Sequence, residues 1–543
     1  VEETRPYQLS PRARVRKRLT RTCDFAGLLA ESRFMDLAGI RVLLTALVDI
    51  IHASTTIKKQ DATADTEDGS ESKVTGIPLS PASEAMAEVL LCEIAVKNKD
   101  RLGPLWEMPL KEHYTRRLTR ESAEIKDEHS KHQQLDPGIE KCVTGLLRIC
   151  GYAVSRDELV NDILSDLDIL WKPETREEVE TLEKHVGEGL WRISRNVDGL
   201  RQLRPGGWAS LLGLAEWCAA RGGKAVSRKE SMIGRSAGLP EDDPALQAYR
   251  SIHLLLHSPE LREVLPFSIT KPIRVLMVTG EKGNCPKLCL AGLDMLKELH
   301  TRLGELIAGK RGEGEEAASP LTRSTNSEDF VACWIRVLEG MADVAEHSAD
   351  PAIRQHALSV LTDAFVDKYG SSLPADTLCV ALPQICIPLA GKRIKILLLD
   401  ESRMVRAMEE IMIEFEQCVS LVFKPLLHHL KNIVGSRANL MVVWKPLLQL
   451  LEDLLGDGIA PSEGSDEREL TPERLRSTLK ELASEHLRNA IVVLHANGVL
   501  EGNPDPSDQI SVSTWESVDR MNFCGKDRVT EWRQAVASSA ESG

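Results

Sequence analysis

Apolar residues in this chain return every three or four positions and almost never alternate. Phe25, Leu28, Leu29, Leu37, Ile40, Leu44, Leu47, Val48 and Ile51 follow this spacing, and so do Ile139, Cys142, Val143, Leu146, Leu147 and Cys150. The pattern recurs through about twenty segments of ordinary helix length, joined by short turns and several longer polar stretches. A pair of such helices leaves an apolar face that only the neighbouring pair can cover. The expected fold is therefore all-α, an α-solenoid of stacked antiparallel helix pairs of the HEAT/armadillo kind. A globular multidomain helical enzyme is the competing architecture. With only 4% aromatic residues, the chain is a poor candidate for a β-sandwich or propeller. The one strand-like run, residues 273–279, would have no partner and is assigned to a helix.

Local signals place many of the segments. Ser80-Pro81 and Thr471-Pro472 pair a capping hydroxyl with proline at the first helical position, and Asn497-Gly498 is a stop. Helices are expected over residues 83–96, 139–154, 159–170, 179–193, 208–220, 244–257, 404–430, 440–455 and 471–497. Residues 330–344 and 353–369 read as an antiparallel pair. Residues 55–76, 221–241 and 309–328 read as polar loops. The nine tryptophans are widely spaced and read as core residues or wedges between hairpins.

Charge narrows the function classes. Acidic residues number 82 against 68 basic, a net charge of −14, which argues against a continuous nucleic-acid groove. The exception is the basic arm bearing Arg14, Arg16, Lys17 and Arg18, read either as a solvated arm or as a contact for anionic lipid or an acidic partner. Twelve scattered cysteines without a CxxC motif suggest a reducing compartment and no disulfides. No apolar run approaches the roughly 18 residues of a membrane span. The sequence opens at Val1 without an apolar leader, as a fragment or processed chain would.

Catalytic and metal motifs are not apparent. Gly391-Lys392-Arg393 lacks the preceding glycines and the hydroxyl residue of a phosphate loop, and no HExxH occurs. His253 and His257 stand four apart and could face one metal, but no carboxylate or cysteine joins them at a convincing spacing. They read as interface histidines. Cys285 and Cys289, with His300 downstream, likewise lack further ligands and read as packing residues. His428 and His429 point to different helix faces. Glu409, Glu410, Glu414 and Glu416 read as a solvated acidic stripe. No catalytic residue, cofactor or metal is assigned.

Several segments, in order, resemble the helical regions downstream of the catalytic Sec-seven domain in the large Golgi-type guanine-nucleotide exchange factors for Arf GTPases. The first is the run from Phe25 through Glu31, Ser32, Arg33 and Phe34 into residues 40–51. The second is Asn98-Lys99-Asp100-Arg101-Leu102-Gly103-Pro104-Leu105-Trp106. Others are Ala153-Val154-Ser155-Arg156-Asp157-Glu158-Leu159, Trp208-Ala209-Ser210-Leu211-Leu212, and Ala245 to His257. Trp334 to Ala342 with Ile353-Arg354-Gln355-His356-Ala357-Leu358 resembles the second downstream region. Trp444-Lys445-Pro446-Leu447-Leu448 and residues 487–494 resemble the third.

The resemblance implies a basic arm (residues 1–22), a first downstream homology region (23–220), connecting helices with loops (221–329), a second region (330–435), a third region (436–505) and a C-terminal tail (506–543). It implies that Glu31, Ser32, Phe34, Asp100, Arg101, Trp106, Trp208, Trp334 and Arg354 are structural motif residues. Asp100 and Arg101 are expected to lock a turn, and Arg354 to cap a helix or to read an acidic partner. The family's acidic catalytic loop has no counterpart here. The implied role is a non-catalytic regulatory and membrane-targeting scaffold, cytoplasmic and peripheral to Golgi membranes. Its implied partners are an Arf or Rab small GTPase, the Golgi membrane surface and the upstream domains of the parent protein, with no nucleic acid. A helical-repeat adaptor without any exchange domain is the alternative.

Overall fold

The computed structural model describes residues 25–63, 80–124, 137–154, 156–171, 180–222, 241–282, 285–312, 327–370, 375–399, 408–435, 437–455, 472–501, 508–521, 529–530 and 532–534. Among these residues there are helices and turns and no strand. The chain divides into two compact units, residues 1–272 and 273–543. The boundary falls inside the stretch expected to connect the first and second homology regions.

The first unit contains α1 (Phe25–Glu31), α2 (Leu37–Thr63), α3 (Pro81–Lys97), α4 (Lys111–Glu124), α5 (Pro137–Ala153), α6 (Asp157–Trp171), α7 (Glu180–Ser194), α8 (Pro205–Arg221) and α9 (Pro244–His257). Helices α3, α5, α7 and α9 pack side by side as one layer, and α4, α6 and α8 as the other. Neighbours within a layer run the same way. Between α3 and α5, Cys92 faces Gly145 and Glu93 pairs with Arg148 at 2.6 Å. Between α5 and α7, Glu140 meets His185 at 3.3 Å, and further along both helices Gly151 faces Arg192. Gly189 permits the close approach: a Cβ there would stand 2.9 Å from Leu147.

The second unit holds α10 (Thr270–Lys282), which begins at the boundary, then α11 (Pro286–Gly312), α12 (Ser327–His347), α13 (Pro351–Val366), α14 (Ala375–Ala381), α15 (Ile387–Leu399), α16 (Met408–His428), α17 (Arg437–Leu455), α18 (Pro472–Ala496) and α19 (Gln509–Arg520). The same alternation holds. Along α11 and α13, Asp294 meets His356 at 4.0 Å and Glu305 meets Tyr369, just past α13, at 3.2 Å. Along α13 and α16, Arg354 pairs with Glu414, and the Phe365 carbonyl accepts from His429 at the far end. Each unit is thus a stretch of α-solenoid, two layers deep.

Local chemistry explains the helix boundaries. Ser80, Asp243 and Asp350 each precede a proline, and each accepts a hydrogen bond from a backbone N–H of the new first turn. At the end of α18, Gly498 adopts φ +70°, its N–H donates to the His495 carbonyl, and the Val499 N–H donates to Leu494. This closes the helix with a left-handed glycine, as Asn497-Gly498 promised. The 273–279 run lies within α10, as expected. The expected loops are shorter in the structure. Residues 55–63 and 309–312 are not loop, because α2 continues through Thr63 and α11 through Gly312, and α12 already begins at Ser327; residues 64–76 and 313–326 lie outside the described residues. The expected C-terminal tail contains α19, which packs on α17. Trp444 Nε1 donates to Thr514 Oγ1 at 2.8 Å, and Trp515 is buried.

Trp106 shows how the aromatic wedges work. It is 2% exposed and stacks on Tyr114 of α4 with ring centroids 5.9 Å apart. Replacing Trp106 with Ala removes that ring and leaves a void between helices. The unfolding free energy should fall by about 3–5 kcal/mol, read from a urea denaturation midpoint.

Candidate functional site

Among the described residues no three His, Cys, Asp or Glu side chains form a group that could hold a metal. The titratable side chains instead form buried, closed clusters and one pinned surface loop.

In the second unit, Glu414 of α16 is 1% exposed and sits between two arginines. Arg354 of α13 donates to its two oxygens at 3.3 and 3.0 Å, and Arg393 of α15 donates to Oε1 through Nε at 2.9 Å and through Nη2. The spare guanidinium N–H groups reach the C-terminal end of α12. Arg354 Nη1 donates to the carbonyls of Ser348 and Ala349, both at 2.9 Å, and Arg393 Nη1 to that of Glu346 at 3.2 Å. Burial alone would raise the Glu414 carboxyl, but the two guanidiniums outweigh it and hold the group below the ordinary carboxylate range. One buried carboxylate therefore locks four helices together. Glu414 is not part of a solvated stripe, as its spacing suggested; Glu409, Glu410 and Glu416 are exposed. Arg354 is a buried capping residue rather than a reader of acidic partners.

Also in this unit, Trp334 Nε1 donates to His300 Nδ1 at 2.7 Å. That places the His300 proton on Nε2, 3.4 Å from Asp367 Oδ1. Asp367 accepts from the backbone N–H groups of Tyr369 and Gly370 as well. His300 is thus held by Trp334 and Asp367, not by Cys285 and Cys289.

The first unit has a comparable cluster. Glu84 and Glu88 of α3 are fully buried against His113 and Arg117 of α4. Arg117 pairs with Glu84, and His113 Nε2 lies 3.2 Å from both Glu88 oxygens. His113 Nδ1 reaches His52 Nε2 of α2 at 3.3 Å. Burial first, then His113, Arg116 and Arg117, lower the His52 pKa from 6.5 to about 4, while Asp49 pulls the other way.

These clusters tie carboxylates and imidazoles inside packed helices, out of reach of a substrate. Six buried thiols are equally quiet. Burial pushes Cys92 and Cys289 up to about 12 and Cys150, Cys218, Cys386 and Cys418 higher still, so none is a ready thiolate.

The motif residues at the start of the chain do converge. Ser32 is buried, donates to the Leu29 carbonyl at 2.8 Å and accepts from Asn98 Nδ2 at 3.2 Å. Arg101 donates to the carbonyls of Met35 and Arg33 at 2.6 and 2.8 Å and to Asn98 Oδ1 at 2.7 Å. The Asp100 carbonyl accepts from Arg156 at 2.9 Å. The loop between α1 and α2 is pinned on both sides of Phe34, which stands 88% exposed. Glu31 is also exposed. On the outside of α2, Ala38, Val42, Ala46 and Ile50 follow one another four residues apart, all exposed, after Phe34 in the preceding loop. Sequence spacing placed these residues on a helix without distinguishing their face from the buried one of Ile40, Leu44, Val48 and Ile51. Trp106, Trp208 and Trp334 are buried. Arg14, Arg16, Lys17 and Arg18 lie outside the described residues.

Two outcomes follow from the buried ions. Replacing Glu414 with Gln leaves two buried guanidiniums without their counter-charge and should cost about 3–5 kcal/mol, measured by urea denaturation near neutral pH. For His52, the unfolded chain takes up its proton near 6.5 and the folded chain only near 4. The unfolded state therefore binds more protons between these values, and His52's contribution to stability is complete above the upper one and lost toward the lower. Replacing His52 with Gln should flatten the fall of unfolding free energy across that window.

Residues 334–522 match the family model described as the GBF1-like tetratrico peptide repeat region. No curated protein matches the chain. Among solved structures, the chain is similar to a circular tandem repeat protein with novel repeat topology and enhanced subunit contact surfaces. The TM-score is 0.35, with 14% identity over 92% of this chain and 95% of that one. The matched residues begin in α12, end just past α19 and include α13 to α19 whole. Over residues 334–522 the chain is thus similar to a GBF1-like helical repeat region, in line with the resemblance to large Arf exchange factors read from its sequence.

Proposed function

We propose that the chain is a non-catalytic regulatory scaffold of an Arf guanine-nucleotide exchange factor, acting peripherally on Golgi membranes in vesicle traffic. The observation that carries this reading is the GBF1-like match over residues 334–522. The buried ion pairs are consistent with it, since they bind helix to helix within the packed interior. No helix among the described residues is long and apolar enough to cross a membrane. Membrane contact in this reading is made by the surface, with the basic arm at Arg14, Arg16, Lys17 and Arg18 meeting anionic headgroups.

The partners of this scaffold are an Arf-family GTPase, or a Rab GTPase, and the catalytic and regulatory domains that precede it in the parent protein. The exposed apolar side chains of Val42 and Ile50 on α2, with Phe34 in the loop before it, support a protein contact on this part of the first unit.

The test is nucleotide exchange on myristoylated Arf with anionic liposomes, using the catalytic domain alone and the same domain extended through this chain. The extension should change the liposome-dependent rate, while the chain by itself releases no nucleotide. Reversing the charges at Arg14, Arg16, Lys17 and Arg18 should reduce the change and its salt sensitivity. Equal rates for the short and extended proteins would overturn the scaffold reading in favour of a helical-repeat adaptor.

A further inference from the structure

Helix α9 carries an aromatic ladder on its solvent side. Tyr249, His253 and His257 follow one another at one-turn intervals. The Tyr249 and His253 ring centroids are 5.7 Å apart. The two imidazoles lie closer, with centroids 4.0 Å apart and planes inclined by 16°. Both histidines are exposed.

Hydrogen bonding settles which nitrogen His257 offers. Its Nδ1 lies 2.9 Å from the His253 carbonyl oxygen. A carbonyl only accepts, so Nδ1 carries the proton and Nε2 keeps its lone pair. This is the arrangement by which a ligating histidine is commonly held, with one ring nitrogen tied to a backbone carbonyl and the other presented to the ion. His253 stands one turn earlier with its ring nearly parallel. An ion with metal–nitrogen bonds of about 2.0–2.1 Å bridges two nitrogens roughly 3 to 3.4 Å apart. Stacked at 4.0 Å with nearly parallel planes, the rings set their lone pairs side by side, so chelation of one ion turns both exposed side chains out of the stack.

We propose that His253 and His257 form a two-imidazole chelate for a divalent transition metal on the exposed face of α9, with water in the remaining coordination positions. Imidazole nitrogens select zinc, copper or nickel over magnesium or calcium, which prefer oxygen. The absence of a third protein ligand among the described residues makes this an open, exchangeable site rather than a structural zinc centre.

The test is calorimetric titration of the whole chain with Cu2+ near neutral pH, alongside His253→Gln, His257→Gln and His347→Gln variants. His347 is an exposed histidine on α12 and serves as the control. The unsubstituted chain should show one tight equivalent. Either substitution on α9 should weaken that equivalent by roughly 10²-fold, the advantage a second linked ligand supplies, while His347→Gln leaves it unchanged. Electron paramagnetic resonance of the one-to-one complex should lose one coordinated nitrogen in each α9 variant. All three positions are exposed, so unfolding midpoints in chelator should match and confirm that the variants fold. Persistence of the tight equivalent in either α9 variant, or an equal loss in the His347 variant, would overturn the proposal.

Discussion

A helix inside a two-layer stack must fit neighbours on three sides at once, and that requirement organises both units of this chain. Helix α5 touches α3 on one flank, α7 on the other and α6 behind. Its buried positions therefore occupy most of its circumference: Ile139, Cys142, Val143, Leu146, Leu147, Ile149 and Cys150 are all nearly inaccessible. Small residues appear where two layer-mates approach, as Gly189 does over Leu147. Apolar burial supplies the drive to stack, but it is non-directional. It does not fix how far one helix slides along the next.

The buried ions supply that direction. Glu414 accepts from arginines on two other helices, and the same arginines reach the carbonyl end of a fourth. A slide of one turn would separate these groups and leave charge buried without a partner, which is far costlier than a shifted leucine. Glu84, Glu88, His113 and Arg117 act the same way between α3 and α4. Trp334, His300 and Asp367 do so with neutral or singly charged groups.

The fold was largely legible because its spacing and its helix starts agree. Ser80-Pro81, Asp243-Pro244 and Asp350-Pro351 all begin helices, and Asn497-Gly498 ends one. What was hard to read shares one cause: polar residues at core positions. Helix α4 is highly charged, and half of its inward face is His113 and Arg117. Helix α19 buries Ser511, Thr514 and Ser517, so a hydrophobicity pattern passes over it. Glu414 looked like one member of an exposed stripe because burial depends on arginines 60 and 21 residues away. The pinned Phe34 loop was visible as a motif, but its exposure depends on contacts from Arg101 and Asn98, which no local pattern encodes. The stacked His253 and His257 rings were readable as a spacing, though not as a solvent-facing pair with one nitrogen already committed.

The common direction of α3, α5 and α7 carries an electrostatic consequence. In an alternating bundle, the partial charges at helix ends largely cancel between neighbours. Within this layer they add, so the carbonyl ends gather along one edge of the layer and the amide ends along the other. Lys97 and Arg192 occupy the last turns of α3 and α7, with Arg195 just beyond. Each of these cations lies at the carbonyl end of its own helix, where the peptide dipole favours positive charge. The second layer runs the other way, as the Glu84–Arg117 and Glu88–His113 pairs show, so its amide ends lie beside these carbonyl ends, and each edge presents two neighbouring strips of opposite partial charge.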